Sequence, residues 1–185
     1  MVQRAYRYRF YPTPEQASVL SRTFGCVRLV YNRALDVRTA AWQAEQRRLT
    51  YPQTSAMLTS WKRTEELAFL NEVAAVPLQQ SLRHLQGGFV AFWEGRARHP
   101  RFKTKRRHYD AAEYTRSAFR FQHGQLTLVK LPGPLNIRWS RPLPEDSQPS
   151  TVTVSRDPAG RWYISLGVID STVRPLPAST VPRRH

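Results

Sequence analysis

A dense cluster of positive charge follows the predicted helical part of this 185-residue chain. Between Gly95 and Arg107 there is no Asp or Glu, and one aromatic ring, Phe102, interrupts the basic residues. Guanidinium and ammonium groups in such a run pair with the phosphates of nucleic acids, although a solvated charged loop has the same composition. The candidate nucleic-acid contacts in this cluster are Arg101, Phe102, Lys103, Lys105, Arg106 and Arg107.

The composition of the whole chain favours the same partner. Lys and Arg number 29 against 13 Asp and Glu, which gives a formal net charge of +16 at pH 7. Most of the cations are arginines, which suit bidentate phosphate contacts and stacking on bases. No long apolar stretch and no apolar signal segment is present, so we expect no membrane association and a cytoplasmic, nucleoid-associated protein.

Residue types that perform catalysis or bind metals are scattered. The five histidines show no ligand spacing, and the single cysteine, Cys26, is expected to be a packed thiol. A two-metal nuclease needs several converging carboxylates, and only Asp170 stands at the end of a predicted strand. The sequence therefore predicts no catalytic residue, no cofactor and no metal ion, and it favours binding.

The first elements that position these residues are a strand and two helices. Alternation predicts a strand over residues 3–11 with a basic outer face, on which we expect phosphate contacts. Thr13 and Pro14 are a typical helix start, and Gly25 is the expected stop. A second helix then places its arginines, among them Arg38, mainly off an apolar stripe, and the pair resembles a helix-turn-helix. The candidate phosphate contacts of the strand are Arg4, Arg7 and Arg9.

The rest of the chain contains two more predicted helices and then strands. The helices begin at Tyr51 and Pro77, and from about Ser117 the apolar period changes to two. The N-terminal strand needs partners, so we expect it to join the later strands, which gives an α+β fold with a helical insertion. The predicted parts are a split, wedge-like β-barrel (1–12 and 115–170), an inserted helical lobe (13–95), a basic linker (96–114) and a disordered tail (171–185).

Several segments resemble the N-terminal part of TnpB (OrfB-type) transposon proteins, which are RNA-guided DNA nucleases. They are RFYPTPEQ at 9–16, FGCVRLVYNRAL at 24–35, LTYPQTS at 49–55, LQQSLRHL at 78–85 and PRFK at 100–103. The resemblance implies a wedge-like β-barrel split by a helical recognition lobe. In the family, these parts hold the guide RNA and read a short motif beside the DNA target.

The resemblance also implies a set of motif-reading residues. Tyr51, Ser55, Gln79 and Thr115 match positions that the family places near the motif duplex. Their side chains suit contacts to base edges or phosphates, and the alternative is helix-cap and surface chemistry. Phe102 and Tyr109 suit stacking on unpaired bases, with burial in the barrel as the alternative.

The nuclease features of the family do not occur in these 185 residues. The resemblance implies a RuvC-like domain and a four-cysteine zinc site after a linker like that at 174–177. We therefore expect the nucleic-acid-binding half of a TnpB-type protein, with guide RNA and double-stranded DNA as partners and no nuclease activity of its own. The alternatives are a stand-alone transcriptional repressor and half of a split nuclease that needs a separately encoded RuvC partner.

Overall fold

The computed structural model describes residues 2–106 and 109–170, with Asp170 described by its backbone. The predicted tail, 171–185, lies outside the described residues. The helices are α1 (Pro14–Glu45), α2 (Tyr51–Trp61) and α3 (Ala75–Trp93), with short 3₁₀ helices at Ala68–Glu72 and Arg116–Ala118. The strands are β1 (Val2–Arg9), β2 (Asp110–Thr115), β3 (Phe119–Gln122), β4 (Gln125–Leu128), β5 (Pro149–Arg156) and β6 (Trp162–Asp170).

The N-terminal strand joins the C-terminal strands, as the sequence predicts. Four strands form an antiparallel sheet in the order β1-β6-β5-β2, and β3 pairs with β4 in a separate hairpin. Tyr8, Ile164 and Val154 stand in register across three strands, and all three side chains are buried. The described strands form an open sheet rather than a closed barrel, so the barrel part of the prediction is not found.

Gly25 does not end the first helix, and the predicted helix-turn-helix hairpin at this position was wrong. α1 is 32 residues long in total and continues through Gly25. It begins at a capping box in which Thr13 Oγ1 accepts a hydrogen bond from the backbone N–H of Gln16 at 3.1 Å. A glycine inside a helix costs about 1 kcal/mol. Phe24 and Val27 are buried on either side of it, and each apolar side chain buried in this way contributes about 1.5–3 kcal/mol. Continuing the apolar face therefore outweighs the glycine.

The sheet begins earlier than the sequence suggests. β2 starts at Asp110, inside the segment predicted as a linker over 96–114. Ala112 and Tyr114 alternate into the core, and burial raises the pKa of Tyr114 to about 12. The basic linker is therefore shorter than predicted, and it connects α3 directly to an edge strand of the sheet.

α3 brings the helical lobe against the sheet. Its residues Leu78, Leu82 and Leu85 are fully buried, and the helix packs against both α1 and β2. Gly88 lies within α3, and a Cβ there would come within 3.4 Å of Pro100 Cγ. The start of the basic segment therefore passes within van der Waals distance of the helix at this point. Among the described residues, no helix has the length and apolar character needed to span a membrane.

Candidate nucleic-acid interface

The basic segment, residues 96–106, is fastened to α1 by one side chain. Asn32 Nδ2 donates to the carbonyl of Lys103 at 2.8 Å, and the amide of Lys103 donates back to Asn32 Oδ1 at 2.7 Å. This two-bond clamp holds an otherwise irregular stretch in a defined position. Arg107, also predicted as a contact, lies outside the described residues.

Three predicted contacts of this segment point into solvent. Arg101, Lys105 and Arg106 are exposed, and in the described part of the chain none of them forms an ion pair with Asp or Glu. Phe102 and Tyr109 are 53% and 66% exposed, so the alternative of burial in a barrel was wrong for both rings. The segment therefore presents cations together with accessible aromatic faces.

Lys103 differs from its neighbours. Its ammonium lies 4.2 Å from the centroid of the Tyr31 ring, and the side chain is half-buried. Burial lowers the pKa of Lys103 because the charged form is poorly solvated there. The side chain packs against α1 instead of pointing to solvent with the other cations.

The arginines of β1 divide between the two sides of the sheet. Arg7 and Arg9 lie on the outer face, where Arg7 stacks over Tyr163 at 3.9 Å and Arg9 lies 5.3 Å from the same ring. Arg4 alternates to the other side, opposite Val168 of β6. The outer face of the sheet thus joins guanidinium groups to a tyrosine ring.

Three of the four predicted motif-reading residues meet between α2 and α3. The hydroxyls of Tyr51 and Ser55 both donate to Gln79 Oε1, at 3.1 and 3.0 Å, and we call these three residues the motif cluster. The guanidinium of Arg83 stacks on the Tyr51 ring at 4.4 Å. Because the shared oxygen accepts both hydroxyls, the amide nitrogen of Gln79 remains available as a donor.

Thr115, the fourth predicted residue, lies on β2 and pairs with Thr151 of β5. The same strand contacts α3 through Glu113, whose carboxylate lies 2.5 Å from Nε2 of His84. β2 therefore borders the helix that carries Gln79, and no direct contact joins Thr115 to the motif cluster among the described interactions.

Sequence reasoning missed a cleft between the C-terminal halves of α1 and α3. Arg38 was placed off the apolar stripe, but it is buried, with 4% of its surface exposed. Its Nη1 donates to Gln86 Oε1 at 2.9 Å, and its guanidinium stacks over Phe89 at 4.2 Å. Burial lowers the pKa of Arg38 to about 10. The missed signal was the spacing: Arg38 follows the buried Ala34 by one helical turn.

Groups suited to catalysis stay apart in the described residues. They contain no cluster of three or more His, Cys, Asp or Glu that could hold a metal ion. Cys26 is buried, and the loss of solvation raises the pKa of its thiol, which disfavours the reactive thiolate. The packed thiol expected from the sequence is therefore confirmed.

Comparison with known proteins defines the class of the N-terminal part. Residues 1–47 match the family model of the OrfB helix-turn-helix domain of IS605-type elements. In this structure the matched stretch folds as β1 followed by the unbroken α1. The N-terminal part is therefore an OrfB-type domain, and the name of the domain does not describe its fold here.

Three curated proteins are similar in sequence. A putative RNA-guided DNA endonuclease of Streptomyces pristinaespiralis is 63% identical over 97% of this chain and 44% of its own length. The putative RNA-guided DNA endonuclease InsQ of Escherichia coli K12 is 31% identical over 88% of this chain and 40% of its own length. The virulence protein VsdF of Salmonella dublin is 33% identical over 55% of this chain and 93% of its own length.

These similarities establish the family. The chain belongs to the TnpB (OrfB-type) family and corresponds to the N-terminal part of its endonuclease members, since it spans less than half the length of the first two relatives. A solved Cas12f1–sgRNA–target DNA complex aligns over 95% of this chain and 49% of its own, with a TM-score of 0.49 and 12% identity. A likeness at that level does not establish a shared fold.

Proposed function

We propose that this chain is the nucleic-acid-binding half of a TnpB-type protein, which holds guide RNA and motif-flanked DNA and does not cut by itself. The observation that carries the proposal is the basic segment. Its exposed cations Arg101, Lys105 and Arg106 have no acidic partner in the described ranges, and the Asn32 clamp holds their backbone in place. Relatives named RNA-guided DNA endonucleases support this choice of partner.

A fixed row of unpaired cations suits a phosphate backbone for a physical reason. Each phosphate that a cation neutralises releases a condensed counterion, which drives association at low salt. The clamp reduces the ordering cost that a mobile loop would incur on binding. The net charge of +16 adds long-range attraction that guides nucleic acid to the surface.

The motif cluster is our candidate for DNA recognition. Its hydroxyls and its amide offer donors and acceptors of the kind that read base edges, and Arg83 beside Tyr51 supplies a phosphate contact. Thr115 would contribute from the neighbouring strand. In this proposal the basic segment binds the RNA backbone, and the motif cluster between α2 and α3 reads the DNA motif.

The salt dependence of RNA affinity tests the phosphate contacts. The double variant Arg101→Ala/Lys105→Ala removes two unpaired cations, and we leave Lys103 in place because it packs on Tyr31. We expect the slope of log affinity against log salt for a single-stranded RNA to fall by roughly 0.7 per lost contact, or about 1.4.

The matched control is Arg22→Ala/Arg161→Ala, which loses the same charge from side chains that already pair with Glu72 and Asp157. We expect its slope to stay close to that of the unchanged protein. Equal slopes for the two double variants would exclude the basic segment from the interface. The proposal also states that the chain does not cut DNA by itself. Cleavage of motif-flanked DNA by this chain alone, with guide RNA and Mg²⁺, would contradict that part of the proposal.

A further inference from the structure

The cleft between α1 and α3 has the size and shape of a ligand site. It encloses about 360 Å³ and lies between the C-terminal halves of the two helices and the start of the basic segment. Sites that bind small molecules or single groups occupy this range of volume. We call it the α1–α3 cleft, and its lining residues relevant to ligand binding are Arg38, Trp42, Arg48, Phe92, Trp93 and His99.

A buried donor without a partner lies in the wall of the cleft. Arg38 is 4% exposed, and its Nη2 is buried with no hydrogen-bond acceptor among the described residues. Nη1 of the same side chain is held by Gln86, so the guanidinium is fixed in orientation. A buried charged donor left unsatisfied is costly. Because Arg38 lines the cleft, its fixed positive charge favours a ligand that places a carbonyl oxygen near the guanidinium.

Flat aromatic rings form the other walls. Trp42 is 48% exposed, and Phe92 and Trp93 are each 38% exposed, which is unusual for such large apolar side chains. The guanidinium of Arg48 lies 4.5 Å from the ring of Trp93 and 5.7 Å from that of Trp42. Unpaired nucleic-acid bases stack on surfaces of this kind, between aromatic rings and arginine planes.

The charge around the cleft favours a nucleotide over an apolar peptide. Arg48 lines the cleft and is exposed, and His99 belongs both to the cleft and to the basic segment proposed to bind phosphates. An RNA strand that follows the basic segment therefore passes the entrance of the cleft. An apolar peptide would gain nothing from the surrounding cations.

We propose that the α1–α3 cleft takes one unpaired base of a single-stranded RNA, stacked against Trp42 and Trp93, with a base carbonyl oxygen directed at the guanidinium of Arg38, which lines the cleft. The inference rests on the proposed function and deepens it. It adds a base-binding subsite to a surface that otherwise contacts the backbone. Uracil and guanine present a suitable carbonyl oxygen at the edge of the base.

The test compares two oligomers of equal charge on the full chain. One is an eight-nucleotide oligouridylate, and the other is an eight-unit ribose-phosphate strand without bases. Stacking of one base should make the oligouridylate bind at least about fivefold tighter. In ¹⁵N spectra it should shift the indole resonances of Trp42 and Trp93, assigned with Trp42→Phe and Trp93→Phe, while Trp61 stays unmoved.

A matched pair of exposed arginines completes the design. Arg48→Met removes the cation over Trp93 and should lower the preference for the oligouridylate over the baseless strand. Arg33→Met removes the same charge and a similar contact, since Arg33 lies 5.3 Å from the ring of Trp61, and it should keep the preference. Because both arginines are exposed, both variants are expected to fold.

The outcomes separate this inference from the proposed function. Equal binding of the two oligomers, with no shift at Trp42 or Trp93, overturns the base subsite and leaves backbone binding intact. If neither oligomer binds, the proposed function fails as well. A dimer in sedimentation that is lost in Trp93→Phe would show that a second copy fills the cleft, which also overturns the proposal.

Discussion

The α1–α3 cleft and the basic segment adjoin each other and are built from the same residue types, but the cleft buries a positive charge and the segment exposes its positive charges to solvent. In the cleft, Arg38 is buried, held by Gln86 and covered by Phe89. In the segment, Arg101 and Lys105 extend into solvent from a clamped backbone. A buried guanidinium has a fixed direction and is shielded from salt, whereas exposed cations attract any phosphate and are screened.

The two arrangements also differ in their cost to the fold. Burial lowers the pKa of Arg38 to about 10, and a shift of this size corresponds to roughly 3 kcal/mol against the charged form. Exposed cations carry no comparable penalty. The difference indicates that burial of Arg38 lowers the stability of the fold and fixes the direction of its hydrogen-bond donors. The basic segment instead depends on the Asn32 clamp to hold its cations in position. Four measurements test this contrast.

The largest expected effect on stability comes from removing the Asn32 clamp. Asn32→Ala removes both hydrogen bonds to the backbone of Lys103 and leaves two partly buried groups without partners. We expect the free energy of unfolding in urea to fall by about 2 kcal/mol, and RNA affinity to fall because the cations lose their fixed spacing. Asn71→Ala, which removes bonds to Lys62 and Ala68 at an exposed site, should cost less than half as much. Equal losses would mean that the clamp has no special role.

Arg38→Met should have the opposite effect on stability. The methionine keeps much of the apolar stem but removes the buried charge, so the free energy of unfolding should rise by about 1 kcal/mol after the lost bond to Gln86 is included. The preference for oligouridylate over the baseless strand should disappear at the same time. A destabilised variant that retains this preference would show that Arg38 is structural.

The motif cluster provides a case without any charge in its hydrogen bonds. Gln79→Ala removes the acceptor shared by Tyr51 and Ser55, and the expected loss in the free energy of unfolding is about 1 kcal/mol. Binding to motif-flanked DNA should weaken more than binding to unrelated DNA of equal length. The neighbouring Gln80→Ala, which breaks no described hydrogen bond, should leave both unchanged. Equal weakening on both DNAs would exclude motif reading by Gln79.

The smallest expected effect is the contribution of Lys103 to the pH dependence of the free energy of unfolding. Burial lowers the pKa of Lys103 in the folded protein, so the unfolded chain binds more protons in the window between the folded and unfolded values. The free energy of unfolding should therefore rise with pH through that window, relative to Lys103→Met, because the cost of the buried charge is removed. Tyr31 beneath it stays neutral there, since burial raises its pKa.

Denaturation curves measured downward in pH from the ordinary lysine pKa of about 10.4 cover this window. Parallel pH profiles for the two proteins would show that the ammonium of Lys103 is fully solvated. In that case the lysine would belong with the exposed cations of the basic segment, as the sequence suggested.

Local patterns in the sequence predicted the elements well. The capping box at Thr13 and Gln16, the start of α2 after Thr50 and the apolar face of α3 are short-range signals, and each appears in the structure. The pairing of β1 with the C-terminal strands was also predicted, because a lone strand must complete its hydrogen bonding. The family was recognised from short motifs in the right order, which the sequence comparisons confirm.

Long-range packing decided what the sequence could not. Gly25 was predicted as a stop from its type alone, but burial of the apolar face along α1 outweighs its small helix penalty. Arg38 was predicted to lie off the apolar stripe, and its burial depends on Phe89 from a helix about fifty residues later. The composition of this chain determined a strongly cationic protein, and its apolar periods predicted the α+β class. Which cations are buried, clamped or exposed depends on contacts between distant segments, and those contacts exist only in the tertiary structure.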